Sequence, residues 1–152
     1  MSFQDTNDPG RVRQRPAVAM RPGADSNVQT EMRKRVLVFS PDVDLASTLV
    51  GWLENRLTVD RSTTLTDLVR RVREERPDLL LVDLSAFSSD VEEQLAAVRS
   101  LDGSIPLIVL RAYVSLPKTL SDAIVEAADL VFYKPIDVDI VSKSIEDLLR
   151  IL

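Results

Sequence analysis

The chain has 152 residues, 45% of them hydrophobic and 28% charged, with a net charge of −5, a composition suited to one globular domain with a sizeable core. It contains no cysteine and no histidine, which excludes disulfides, thiol nucleophiles, Ser-His-Asp machinery, histidine phosphotransfer from this chain and nearly every zinc or redox-metal site. Gly10, Gly23, Gly51 and Gly103 are its only glycines and form no phosphate-cradling loop. With no apolar run near the about 20 residues that span a bilayer and no apolar leader, a cytoplasmic protein without membrane attachment or cofactor is expected.

Charge is uneven along the chain. Residues 1–35 carry seven basic and four acidic residues, a net of +3, which leaves −8 for the remainder. Residues 1–31, with three prolines and two glycines, show no apolar period and read as a disordered basic tail. An acidic body argues against nucleic-acid binding outside that tail, where Arg11, Arg13, Arg15 and Arg21 would provide a charge-based, salt-sensitive tether for nucleic acid or an acidic partner.

From residue 32 to 152 the pattern alternates short apolar runs with amphipathic stretches. Val36–Phe39 reads as a buried strand, followed by a helix over about Asp44–Arg56 with Leu45, Leu49, Trp52 and Leu53 inward. A weaker strand, Leu57–Ser62, precedes a helix over Leu65–Glu75, whose Arg70, Arg71 and Arg73 read as a solvated face. The third strand, Leu79–Val82, ends at Asp83. A helix over Asp90–Ser100 leads to a fourth strand, Ile105–Leu110, and then to a helix over Pro117–Ala127. Leu130–Tyr133 is the fifth strand, and a last helix is expected from about Asp137 to Leu152, with no output domain expected after it. Near-continuous apolar strands are those of a parallel sheet covered on both faces. Alternating βα order implies right-handed crossovers and a doubly wound α/β fold with five strands and five helices.

In such a sheet, functional groups gather where strands end at the carboxyl edge. Those ends are Ser40-Pro41-Asp42, Asp83, Arg111 and Lys134, the last standing before Pro135 in an X-Pro bond able to adopt cis.

The segments Pro77-Asp78-Leu79-Leu80-Leu81-Val82-Asp83, Ile105-Pro106-Leu107-Ile108-Val109-Leu110 and Ala128-Asp129-Leu130-Val131-Phe132-Tyr133-Lys134-Pro135 carry a family pattern. Over about residues 33–152 the chain resembles the CheY-like receiver domains of bacterial response regulators. The resemblance implies a flavodoxin/CheY-like fold and puts Asp83 at the position of the phosphoacceptor, next to a divalent cation that offsets the charge of the incoming phosphate. It also marks departures. The acidic pair that would hold the cation falls on Ser40 and Pro41, and Asp42 lies one residue late. The hydroxyl residue after the fourth strand is Arg111, and the switch aromatic is Val131. The glycine-containing stretch after the acceptor is Leu84–Asp90.

These departures predict a degenerate receiver that is not an enzyme and acts as a phosphorylation-independent protein-interaction module in bacterial two-component signalling. Arg111 and Lys134 are expected to hold Asp83 from two sides. The resemblance points to the fourth helix, fifth strand and fifth helix as the surface for signalling partners or a homodimer, with Lys118, Tyr133, Asp137 and Lys143 on it. A second reading is a working phosphoacceptor using Asp83.

Overall fold

The structure is a computed structural model that describes residues 33–150. The expected tail, its tether and the last two residues of the expected final helix lie outside them. Five strands form one parallel sheet: β1 (Lys34–Phe39), β2 (Leu57–Ser62), β3 (Leu79–Asp83), β4 (Leu107–Ala112) and β5 (Leu130–Lys134), in the order β2-β1-β3-β4-β5. The helices are α1 (Val43–Leu53), α2 (Leu65–Glu75), α3 (Val91–Leu101), α4 (Lys118–Ala127) and α5 (Val138–Leu149), with a 3₁₀ turn at Leu84–Ala86. The expected α/β class, strand number and helix number are those observed.

Because side chains alternate along a strand, each apolar strand feeds two cores. Val36, Val38, Leu79, Leu81, Ile108 and Leu110 pack with Leu45 and Leu49 of α1 and Val141 and Ile145 of α5. Leu37, Phe39, Leu80, Val82, Leu107 and Val109 pack with Leu68 of α2, Leu95 of α3 and Ile124 of α4. With both faces covered, a strand has no reason to show polar alternation, and the strands read as continuous apolar runs for that reason.

Element ends follow from capping. Asp42, Thr64 and Asp137 accept hydrogen bonds from the first-turn amides of α1, α2 and α5, which offsets the orphan donors there. Several expected boundaries move for similar reasons. The first helix stops at Leu53, where Glu54 donates to the Val50 carbonyl. The last ends at Leu149, with Arg150 in the left-handed region returning its amide to Glu146 and Asp147. The fourth strand begins at Leu107 and not Ile105, because Pro106 has no amide to offer, while Leu107 donates to the Asp129 carboxylate at 2.7 Å.

Trp52 corrects the sequence reading. It was expected in the core and is 55% exposed. The buried stripe of α1 is Leu45, Ala46, Leu49 and Leu53, and at roughly 100° per residue Trp52 falls some 20° outside its edge. Large as the indole is, the neighbouring Leu53 takes the inward position.

Candidate functional site

Asp83 ends β3 at the carboxyl edge and is 1% exposed. Register brings its neighbours in. Phe39 pairs with Val82, so Ser40 follows beside Asp83. Leu110 pairs with Asp83, and Ala112 with Lys134, so the lysine reaches back across the end of β4.

Both carboxylate oxygens are taken. Oδ2 accepts from Ser40 Oγ at 2.9 Å and from Lys134 Nζ at 2.5 Å. Oδ1 accepts from the Ser85 amide at 3.0 Å and from the Ser85 hydroxyl at 2.7 Å. The Ser85 contacts arise locally, since an aspartate folds back on the amide two residues on, and here it also caps the 3₁₀ turn. Burial pushes the Asp83 carboxyl up, but the bonds from Lys134, Ser85 and Ser40 together outweigh it and hold the group below the usual carboxylate range. Lys134 precedes a cis peptide bond to Pro135.

Arg111 does not join this arrangement, which corrects the expectation that it would hold Asp83. Across the β4–β5 ladder it stands opposite Tyr133, and its guanidinium carbon lies 5.0 Å from that ring's centroid. Its Nη2 donates to the Val114 carbonyl at 2.7 Å and its Nε to the Ala112 carbonyl at 3.4 Å. The Ala112 and Val114 carbonyls, at the end of β4 and in the loop after it, and the Tyr133 ring on β5 thus hold the guanidinium. Ser40, which stands where the resemblance expects an acidic residue, and Ser85, within the stretch that replaces the glycine-containing one, provide the second clamp instead.

Asp42 points elsewhere, as expected: its Oδ1 accepts from the Leu45 amide at 3.2 Å. The Ser40 hydroxyl, besides donating to Asp83, accepts from the Asp42 amide at 3.0 Å. Pro41 offers no side-chain ligand. Among the described residues no group of three or more His, Cys, Asp or Glu converges on a point. The residues at this edge do not fit a divalent cation, because Asp83 is saturated by an ammonium, two hydroxyls and an amide while Asp42 is turned to cap α1.

The four residues expected on the partner surface occupy three successive elements. Lys118 opens α4 and pairs with Asp122 at 2.8 Å. Tyr133 lies on β5, and Asp137 caps α5. Lys143 is exposed on α5. Near them, Tyr113, Val114, Val125 and Ile140 are large apolar side chains left in solvent, and the Tyr113 and Tyr133 rings lie 4.9 Å apart.

No protein-family profile matches the sequence, and no curated protein matches it. Solved structures do. A CheY-like response regulator receiver domain protein from Methanospirillum hungatei is 23% identical over 78% of this chain and 95% of its own, with a TM-score of 0.66. A response regulator from Thermotoga maritima is 21% identical over 78% and 99%, with a TM-score of 0.66. A receiver domain protein from Clostridium thermocellum is 18% identical over 77% and 94%, with a TM-score of 0.65. The fold is therefore that of CheY-like response regulator receiver domains. No helix among the described residues is long and apolar enough to cross a membrane.

Proposed function

We propose that the chain is a degenerate receiver of bacterial two-component signalling, a cytoplasmic protein-interaction module that works without phosphorylation and catalyses no reaction. One observation carries this reading: Asp83 is 1% exposed, with both oxygens bonded by Lys134, Ser40 and Ser85. A phosphoryl acceptor must present an oxygen for in-line attack and a cation to offset the charge that develops. Here the lysine neutralises the carboxylate itself and the hydroxyls cover it. Phosphoryl transfer would have to break those bonds first.

In this reading partners bind α4, β5 and α5, through Lys118, Tyr133, Asp137 and Lys143, and the exposure of Tyr113, Val125 and Ile140 supports it. Aromatic and aliphatic groups left in solvent beside charged ones have the composition of an interface centre and rim. The same face would serve another signalling protein or a second copy of the chain.

The test is to incubate the full chain with magnesium and acetyl phosphate and measure its intact mass. An unchanged mass is expected. A gain of one phosphoryl group that is absent in Asp83→Asn would overturn the proposal in favour of a working phosphoacceptor.

A further inference from the structure

Beside Asp83, residues in and around the loops after β3 and β4 line a half-open pocket of about 240 Å³. Leu84, Val91, Val114, Leu116 and Leu120 line it, together with the Asp83–Lys134 pair and Arg111. Aliphatic walls of this kind call for a hydrocarbon body in the occupant, with a few polar groups setting its orientation.

The charges specify the rest. Asp83 and Lys134 neutralise one another. Arg111 forms no ion pair among the described residues. Its donors Nε and Nη2 bond main-chain carbonyls, and its face rests on Tyr133. One uncompensated positive charge therefore borders an apolar cavity, and it belongs to a planar guanidinium with donors to spare, a geometry that matches a carboxylate.

We propose that this pocket binds a small amphiphilic monocarboxylate, its hydrocarbon part among the five aliphatic side chains and its carboxylate on Arg111. A dianion would exceed the available charge, and a bare phosphate would leave the aliphatic walls uncovered. Binding would also be read outside the pocket. Pairing with a ligand draws the guanidinium from the Tyr133 face, and the Tyr133 ring lies tilted against that of Tyr113, which is 82% exposed. The ligand thus reaches the exposed aromatic pair next to α4 through a single side chain.

The chain has two tyrosines, both in this cluster, so their ring signals report on it alone. The experiment is a ¹H–¹³C NMR titration of the full chain with octanoate, octan-1-ol and inorganic phosphate, each also applied to Arg111→Gln and Leu116→Glu. Octanoate should give saturable shifts of both tyrosine rings and of the Leu84, Val91 and Leu120 methyls, and phosphate none. Arg111→Gln should weaken octanoate by at least about tenfold, the share of a charge-assisted hydrogen bond, while octan-1-ol binding stays within about twofold. Leu116→Glu, at the half-exposed pocket wall, should remove binding of both while distant amide signals stay in place. Unsaturable shifts, equal affinity for octanoate and octan-1-ol, or an octanoate affinity untouched by Arg111→Gln would overturn the proposal.

Discussion

Replacing Lys134 by methionine keeps the bulk of the side chain and removes its ammonium. Asp83 would keep three hydrogen bonds, from Ser40 Oγ and from the Ser85 hydroxyl and amide, but lose its counter-charge. Stripping one partner from a fully buried pair costs about 3–5 kcal/mol. The lysine side chain is 32% exposed and the aspartate 1%, so solvent screening and the surviving bonds reduce this to about 2 kcal/mol. For a body of this size that is a fall in Tm of roughly 6–10 °C.

The pH dependence gives the sharper signature. In the wild type the folded-state pKa of Asp83 is lowered, so its contribution is present above the unfolded value of about 3.9 and is lost as pH falls through the folded value. In Lys134→Met, burial meets weaker opposition and the folded pKa rises. With that pKa carried above the unfolded value, the variant should gain stability as pH falls from 7 toward the unfolded value, a range over which the wild-type contribution of Asp83 stays nearly constant. Urea unfolding of wild type, Lys134→Met, Asp83→Asn and the double variant, each across pH 4–7, forms a double-mutant cycle. A coupling energy above about 1 kcal/mol at pH 7 is expected. A coupling below about 0.5 kcal/mol, or the same pH slope in both proteins, would refute the reasoning.

Three further outcomes follow from the same geometry. Leu49→Ala, at a fully buried position, should cost about 2–5 kcal/mol in chemical unfolding, whereas Trp52→Ala should cost less than about 1 kcal/mol and Trp52 fluorescence should be readily quenched by iodide. Asp67, bonded by Arg70, Ser62 and Arg71, has its carboxyl drawn down to about 2. A carboxyl-carbon NMR titration should find that midpoint, and Arg70→Ala should raise it. Finally, Ser40→Asp with Pro41→Asp would supply the missing acidic pair. This double variant should be less stable than wild type without magnesium, through like-charge repulsion beside Asp83, and regain Tm as magnesium is added, while wild-type Tm stays flat.

The fold was legible because hydrophobic runs and amphipathic spacing are local properties. Val36–Phe39, Leu79–Val82 and Leu107–Leu110 sit in strands because they are apolar on both faces. The misplaced boundaries depended on single donors and acceptors, such as Pro106 and the Asp129 carboxylate. Trp52 was misread because hydrophobicity alone cannot separate the edge of a helical stripe from its centre.

The site was half legible. Asp83 and Lys134 come together as their strand-end positions suggested. Arg111 departs because its fate depends on register: it faces Tyr133 across β4 and β5, a pairing that no linear spacing reveals. Ser85 left a faint local signal, since Asp83-Leu84-Ser85 has the spacing of an aspartate folding onto the amide two residues on. Arg70 and Arg71, read as a solvated face, form ion pairs with Asp67, Glu74 and Glu75 at helical spacings. That network was visible in the i,i+3 and i,i+4 charge pattern of α2.

The most direct test of a carboxylate held in place by its own lysine is an amide NMR titration of the full chain with magnesium and beryllofluoride. The account predicts no saturable shift at Ser40, Ser85 or Lys134. Saturable shifts at those residues that spread into α4 and α5 would contradict it and make the chain a phosphorylation-responsive switch.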